Sequence, residues 1–468
     1  MRPGSPVRRT RRVLLPLAVV GVLLTGCSSL VTGMANPGPG EPTDVPPDQF
    51  PIVDAQDGNA VDQGMRNALT DLDTFWGQAY PEFFGGRFEP LQGGVFSVDP
   101  DDIDPAAFPD GVGCGQDPEA VENNAYYCVA PREPHSDSIT YDRRFLAELA
   151  ADSGHALVPV VMAHEFGHAI QARFGPPGAS INAETQADCL AGAWTRWVVD
   201  GNAAHVAIRK PDLDDVIRGY LKVSDPVGRD PDSNEAHGSY FDRVSAIAEG
   251  YESGVGACRD NFGADRLFTA RPFENAADRR NQGNAPYAST IAYTEQTLPA
   301  FWQSVFPAAF GEDFDAPTIT AFDRTAPACV DGDRDLGYCP SDRTVYYDET
   351  DLIEPAYSEL GDFAVPTAIS LPYALAARSQ LGLSTDDGDA TRSAVCLTGW
   401  YEAQIFSGKF PDLTISPGDV DEAVEFLLEY GVEDKVFPDT DATGFELLQQ
   451  YRAGFLDGGT QCDIGIRG

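Results

Sequence analysis

Lysine is nearly absent from this 468-residue chain, which has only Lys210, Lys222, Lys409 and Lys435. With arginine the basic residues reach 32 against 73 acidic ones, a net charge of −41 at neutral pH. Such a surface repels phosphate backbones and anionic headgroups, which excludes nucleic-acid binding and adhesion to a membrane through a basic face. Long apolar runs are missing as well. "VLLPLAVVGVLL" at 13–24 has 12 residues, short of the ~20 that a bilayer-spanning helix needs. Acid runs such as "DPDDIDP" (99–105) match no calcium-loop spacing and read as solvated loops. Histidine is scarce, six in all, so any two at ligand spacing stand out.

The short apolar run follows the basic "RRTRR" and precedes "LTGC", the arrangement of an export signal. It resembles the lipobox of bacterial lipoproteins. That resemblance implies a signal peptide over 1–26, a lipid on Cys27, and a protein anchored to the cell membrane on its extracytoplasmic face. Residues 27–59 are rich in Pro, Gly and Asp without a helical or alternating period, and they predict a flexible tether.

Of nine cysteines, setting Cys27 aside leaves eight, an even number that implies disulfides in an exported protein. Their spacing states one theme twice: Cys114, Cys128, Cys189, Cys258, then Cys329, Cys339, Cys396, Cys462. The text between them repeats in the same order. "LDTFWGQAYPEFFGGRFEPL" (72–91) matches "LPAFWQSVFPAAFGEDFDAP" (298–317), and "DCLAGAW" (188–194) matches "VCLTGWY" (395–401). Two tandem copies follow, 60–262 and 287–468, joined by a polar linker at 263–286. Symmetry then predicts bridges within each copy: Cys114–Cys128, Cys189–Cys258, Cys329–Cys339 and Cys396–Cys462.

"HALVPVVMAHEFGHAIQARFG" (155–175) has a helical apolar period and stops before Pro176-Pro177. His164 and His168 therefore share one face, four residues apart, where both imidazoles reach one cation, and Glu165 points to the same place. A second helix, "NAETQADCLAGAWTRWVV", offers Glu184 and Asp188 one turn apart. One carboxylate can bind the metal while the other accepts the free ring N–H of a ligand histidine.

HEFGH followed by ETQAD looks like the gluzincin arrangement. Together with "HGSYFDR" and "GYESG" it resembles the neutral zinc metallopeptidase family of bacteria over most of 60–262. The resemblance implies one Zn2+ per chain held by His164, His168 and Glu184, Glu165 as general base, and Asp188 behind a ligand histidine. It also implies that His237, near Arg243, holds the oxyanion. The fold class it implies is α+β, mainly helical, with two tandem zincin-like metallopeptidase domains.

The function expected is hydrolysis of a peptide or protein substrate by zinc-activated water with Glu165 as base. "SDSITYD" (136–142) is an alternating run that reads either as a sheet edge that receives an extended peptide or as a structural strand with no substrate. The second copy lacks the equipment: "ISLPY" (369–373) faces HEFGH, Thr391 and Val395 face Glu184 and Asp188, and Thr443 stands for His237. Pro372 in place of Gly167 predicts a kinked or broken helix, and the degenerate copy reads as a domain that packs on, stabilises or restricts the first, as by roofing its cleft, or as purely structural ballast. The alternative reading is a non-proteolytic envelope scaffold or interaction lipoprotein with a structural or relic zinc site.

Overall fold

The computed structural model describes residues 41–330, 334–410, 415–433, 435–437 and 442–466. The expected signal peptide, Cys27 and the tether up to residue 40 lie outside the described residues. The architecture is α+β and mainly helical. The first half runs α1 (Ala60–Phe83), β1 (Gly94–Val98), β2 (Ala125–Cys128), β3 (Ser138–Asp142), α2 (Arg143–Ser153), α3 (Leu157–Phe174), α4 (Ser180–Val199), α5 (Asp212–Tyr220) and α6 (Tyr240–Asp260). After α7 (Ala276–Arg280) come α8 (Tyr287–Phe310), β4 (Thr318–Phe322), β5 (Leu336–Cys339), β6 (Thr344–Asp348), α9 (Glu354–Glu359), α10 (Ala364–Gln380), α11 (Gly388–Phe406), α12 (Asp419–Glu429) and α13 (Gly444–Asp457).

Local chemistry sets the helix starts. Asn59 opens α1 by accepting from the N–H groups of Val61 and Asp62, and Asp142 does the same for α2 at Arg144 and Phe145. Reciprocal capping boxes open α6 (Ser239 with Asp242) and α13 (Thr443 with Glu446). Helix α3 is apolar on most faces and accordingly buried, ending at Gly175 with φ 108°.

Both sheets have one topology. In the order β1-β3-β2, β1 is parallel and β2 antiparallel to β3, and β4-β6-β5 repeats this. The helix pairs repeat too. Gly250 on α6 lies against the Cys189 carbonyl of α4, and Gly454 on α13 against the Cys396 carbonyl of α11, so close that any Cβ would overlap. Disulfides Cys189–Cys258 and Cys396–Cys462 staple these same pairs, and Cys114–Cys128 and Cys329–Cys339 tie β2 and β5 to the preceding loops. All four are the bridges that the repeated spacing predicts.

One hydrophobic core runs through both halves. Phe241 of α6 packs edge-on against Tyr451 and Phe455 of α13, and its N–H donates to Asp421 Oδ1 of α12 at 2.8 Å. Asp214 of α5 accepts from the N–H groups of Gly444 and Phe445 at the start of α13.

Several expectations need correction. The second part of the tether is docked on the body: Val45 is buried and donates to Asn67 Oδ1, while Val53 N–H donates to the Val95 carbonyl beside β1. The linker is equally packed, since Asp242 accepts from the N–H groups of Thr269 and Ala270. "SDSITYD" contains β3, the central strand, buried at every residue; the outer strands are β1 and β2. Helix α10 continues through Pro372, held by neighbours on all sides although proline removes one backbone bond. Among the described residues no helix is long and apolar enough to cross a membrane.

Candidate metal centre

Helices α3 and α4 cross where Gly167 meets the backbone of Ala187, and this approach brings their polar side chains together on the cleft side. His164 Nε2 lies 3.2 Å from Glu184 Oε2, His168 Nε2 lies 3.5 Å from Glu184 Oε1, and the two Nε2 atoms are 3.2 Å apart. Each imidazole is oriented from behind. His164 Nδ1 is 2.7 Å from Asp188 Oδ1, and His168 Nδ1 is 2.9 Å from Gln171 Oε1. The Gln171 amide donates to the Ala183 carbonyl and to Gln186 Oε1, which fixes its oxygen as the acceptor. Both Nδ1 atoms are thus N–H donors, and both Nε2 atoms turn toward the Glu184 carboxylate.

A carboxylate set against two Nε2 atoms demands positive charge at this point, from protons on the rings or from a bound cation. The electrostatics express that demand: burial disfavours an imidazolium at His164, yet the Asp188 and Glu184 carboxylates push its pKa up to about 10. Glu184 is depressed well below the usual carboxylate range despite burial, because both imidazoles hydrogen-bond it. Two imidazole nitrogens and one carboxylate, open toward a cleft, suit zinc with a free coordination position.

Glu165 sits beside this group, buried, with its pKa raised by desolvation and opposed by the neighbouring histidines. Its Oε2 accepts the Tyr127 N–H from the outward edge of β2 at 2.8 Å. Asp188 is fully buried between His164 and Arg243, whose Nε and Nη2 grip it at 2.8 and 2.9 Å. Arg243 also donates to the Val223 carbonyl and lies over the Tyr220 ring. Sequence reasoning named Arg243 only beside His237; its link to Asp188 joins residues 55 apart. Gln171 was missed although it stands three residues after His168 on one helix, a readable spacing. Tyr127 acts through its backbone, which leaves no mark on residue type.

The cleft measures about 670 Å3 and is lined by β2, α3, α4, Tyr220, Lys222, Val223, His237 and Arg243. Among the described residues none of the second half lines it. His237 lies in the loop before α6, not on a helix. Its N–H donates to Asp225 Oδ2, its Nδ1 is 3.3 Å from Asp225 Oδ1, and its side chain is 46% exposed at the rim.

The caps and cysteines align the two halves. Thr443 occupies the place of Ser239, so the counterpart of His237 is Asp441, outside the described residues. The positions of His164, Asp188 and Arg243 are taken by Ile369, Val395 and Leu447, each fully buried.

No family model matches the chain, and no solved structure matches it. Curated relatives include the uncharacterized protein Rv2575 of Mycobacterium tuberculosis (strain ATCC 25618 / H37Rv) and the uncharacterized protein Mb2605 of Mycobacterium bovis. Each is 26% identical over 180 residues, covering 34% of this chain and 60% of the relative.

Proposed function

We propose that the chain is a zinc-dependent peptidase, anchored by a lipid on Cys27 at the extracytoplasmic face of the cell membrane. The observation that carries this reading is the convergence of His164 Nε2, His168 Nε2 and Glu184, with Glu165 beside them, on the floor of an open cleft. His164, His168 and Glu184 would hold one zinc, and the bound ion supplies Lewis acidity that polarises a carbonyl and acidifies water. Glu165 keeps one oxygen tied to Tyr127 N–H, and its other oxygen takes a proton from the attacking water and returns it to the leaving amine. Asp188 holds the His164 tautomer, and Arg243 keeps Asp188 ionised. The free edge of β2 offers backbone groups to an extended peptide, and His237 at the rim is the donor for the oxyanion. The halves are read as copies of one zincin-like domain, 60–262 and 287–468, of which the second has lost its polar residues. Four disulfides agree with an oxidising, exported setting.

The experiment is zinc per chain by elemental analysis, with hydrolysis of a peptide library, in wild type, Glu184→Ala and Glu165→Gln. About one zinc, weakened in Glu184→Ala, and hydrolysis abolished in Glu165→Gln with zinc retained are the expected results. Zinc retained without hydrolysis in wild type would favour a non-proteolytic scaffold, and no zinc after resupply would remove the metal reading.

A further inference from the structure

A second group of acids lies far from the histidines, in the second half. Asp362 precedes α10, and Asp419 and Glu422 stand on the first turn of α12, their carboxylate oxygens within 4.8 Å of one another. Two oxygens are satisfied by backbone: Ser416 N–H donates to Asp419 Oδ2 at 2.7 Å and Phe363 N–H to Glu422 Oε2 at 2.8 Å. Asp419 is only 4% exposed, and its Oδ1, like Asp362 Oδ1, is buried without a hydrogen-bond partner. Gly361, at φ 136°, presses on the Glu422 carboxylate where any Cβ would overlap, so the backbone is shaped to admit that group. Among the described residues no lysine or arginine forms an ion pair with the three; Arg271 acts on Asp419 only at longer range, and Glu425 adds negative charge. Burial pushes all three carboxyls up, Asp362 to about 6, and repulsion between them adds to it at Glu422.

Orphaned buried oxygens are costly unless something supplies the missing positive partner. We propose that Asp362, Asp419 and Glu422 bind a hard divalent cation, calcium by its chemistry, at a site independent of the histidine cluster. The donors are oxygen only, which disfavours zinc and copper. Asp362 and Asp419 line a cavity of about 200 Å3 whose walls include Thr290 and Ser416, with Glu422 beside them behind it. Hydroxyls and water there can complete the six to eight oxygens that calcium accepts in irregular geometry, whereas magnesium demands a strict octahedron. The ion would tie α12 to the start of α10, and α12 in turn holds α6 through Asp421 and Phe241.

The test uses the full chain supplied with zinc, titrated with CaCl2 at pH 7.5 and constant ionic strength while the melting temperature is followed. Wild type and His168→Ala should show a saturable rise that Asp419→Asn and Glu422→Gln lose; both mimic protonated acids and are expected to fold. Isothermal titration calorimetry of CaCl2 into wild type should give saturable binding that Asp419→Asn loses. A rise of equal size in wild type and Asp419→Asn, or neither a rise nor saturable binding in wild type, overturns the proposal. An equal response to MgCl2 overturns the calcium assignment.

Discussion

Replacing Asp188 with valine isolates Arg243, and the size of the damage can be worked out from the surroundings. Arg243 is 4% exposed, and among the described residues Asp188 is the carboxylate it pairs with. Removing one member of such a buried pair costs about 3–5 kcal/mol, because the remaining charge stays desolvated. His164 Nδ1 loses its acceptor in the same change, adding about 1–3 kcal/mol. The second half shows the remedy in Ile369, Val395 and Leu447, where the same scaffold holds three apolar side chains. The triple change His164→Ile, Asp188→Val, Arg243→Leu should therefore recover at least ~3 kcal/mol over Asp188→Val alone, since apolar replacement of a whole buried ion pair is commonly neutral or stabilising. The assay is urea unfolding at pH 7.5 in chelator with disulfides intact, followed by fluorescence of the buried tryptophans. If the triple variant unfolds at the same urea concentration as the single one, the account of this polar chain as a cost to stability is wrong.

Glu402 is fully buried, bonded by Thr367 and Tyr451, and burial pushes its pKa up to about 8 from 4.5. The folded chain then keeps a proton that the unfolded chain releases, so stability is greatest below pH 4.5 and falls until about pH 8, by about 5 kcal/mol for this group. Glu402→Gln should flatten that decline, and unfolding curves from pH 5 to 8.5 with the wild-type slope would refute it. Breaking Cys189–Cys258, which closes 69 residues, should lower stability by about 2–5 kcal/mol. Its removal should cost more than that of Cys114–Cys128, which closes 14; an equal fall in melting temperature in Cys→Ser pairs would count against it. Asp188→Asn should weaken zinc binding ~10- to 100-fold in a chelator competition, because His164 loses its charged orienting partner; unchanged affinity would count against that role.

Helices α3 and α4 were legible because apolar period, terminal Gly175-Pro176 and ligand spacing all lie within one short stretch, and the disulfides because the chain states its spacing twice. The strand order was not. Alternation marks "SITYD" as a strand, but which strand lies at the edge depends on pairing with Gly94–Val98, more than forty residues earlier. Composition also misread residues 43–54: proline and aspartate suggest a free tether, yet its N–H groups find the Asn67 side chain and the Val95 carbonyl. The acids at 362, 419 and 422 lie too far apart in sequence to form a motif, and only the docking of α12 beside α10 unites them. Arg243 was visible as a letter in "HGSYFDR", but its grip on Asp188 depends on the glycine-permitted crossing of α4 and α6.

That crossing has a mechanical consequence. Helix α6 is bolted to α4 by a covalent bridge and a bare backbone contact on one flank. On the other it is buttressed by α12 and α13 through Asp421, Tyr451 and Phe455. A helix held on both flanks is restrained, and the contacts from the second half thereby also restrain Arg243 and, through Asp188, the aim of His164. If the histidine cluster takes zinc as proposed, its donors are already held in place, and loading needs little rearrangement of the protein.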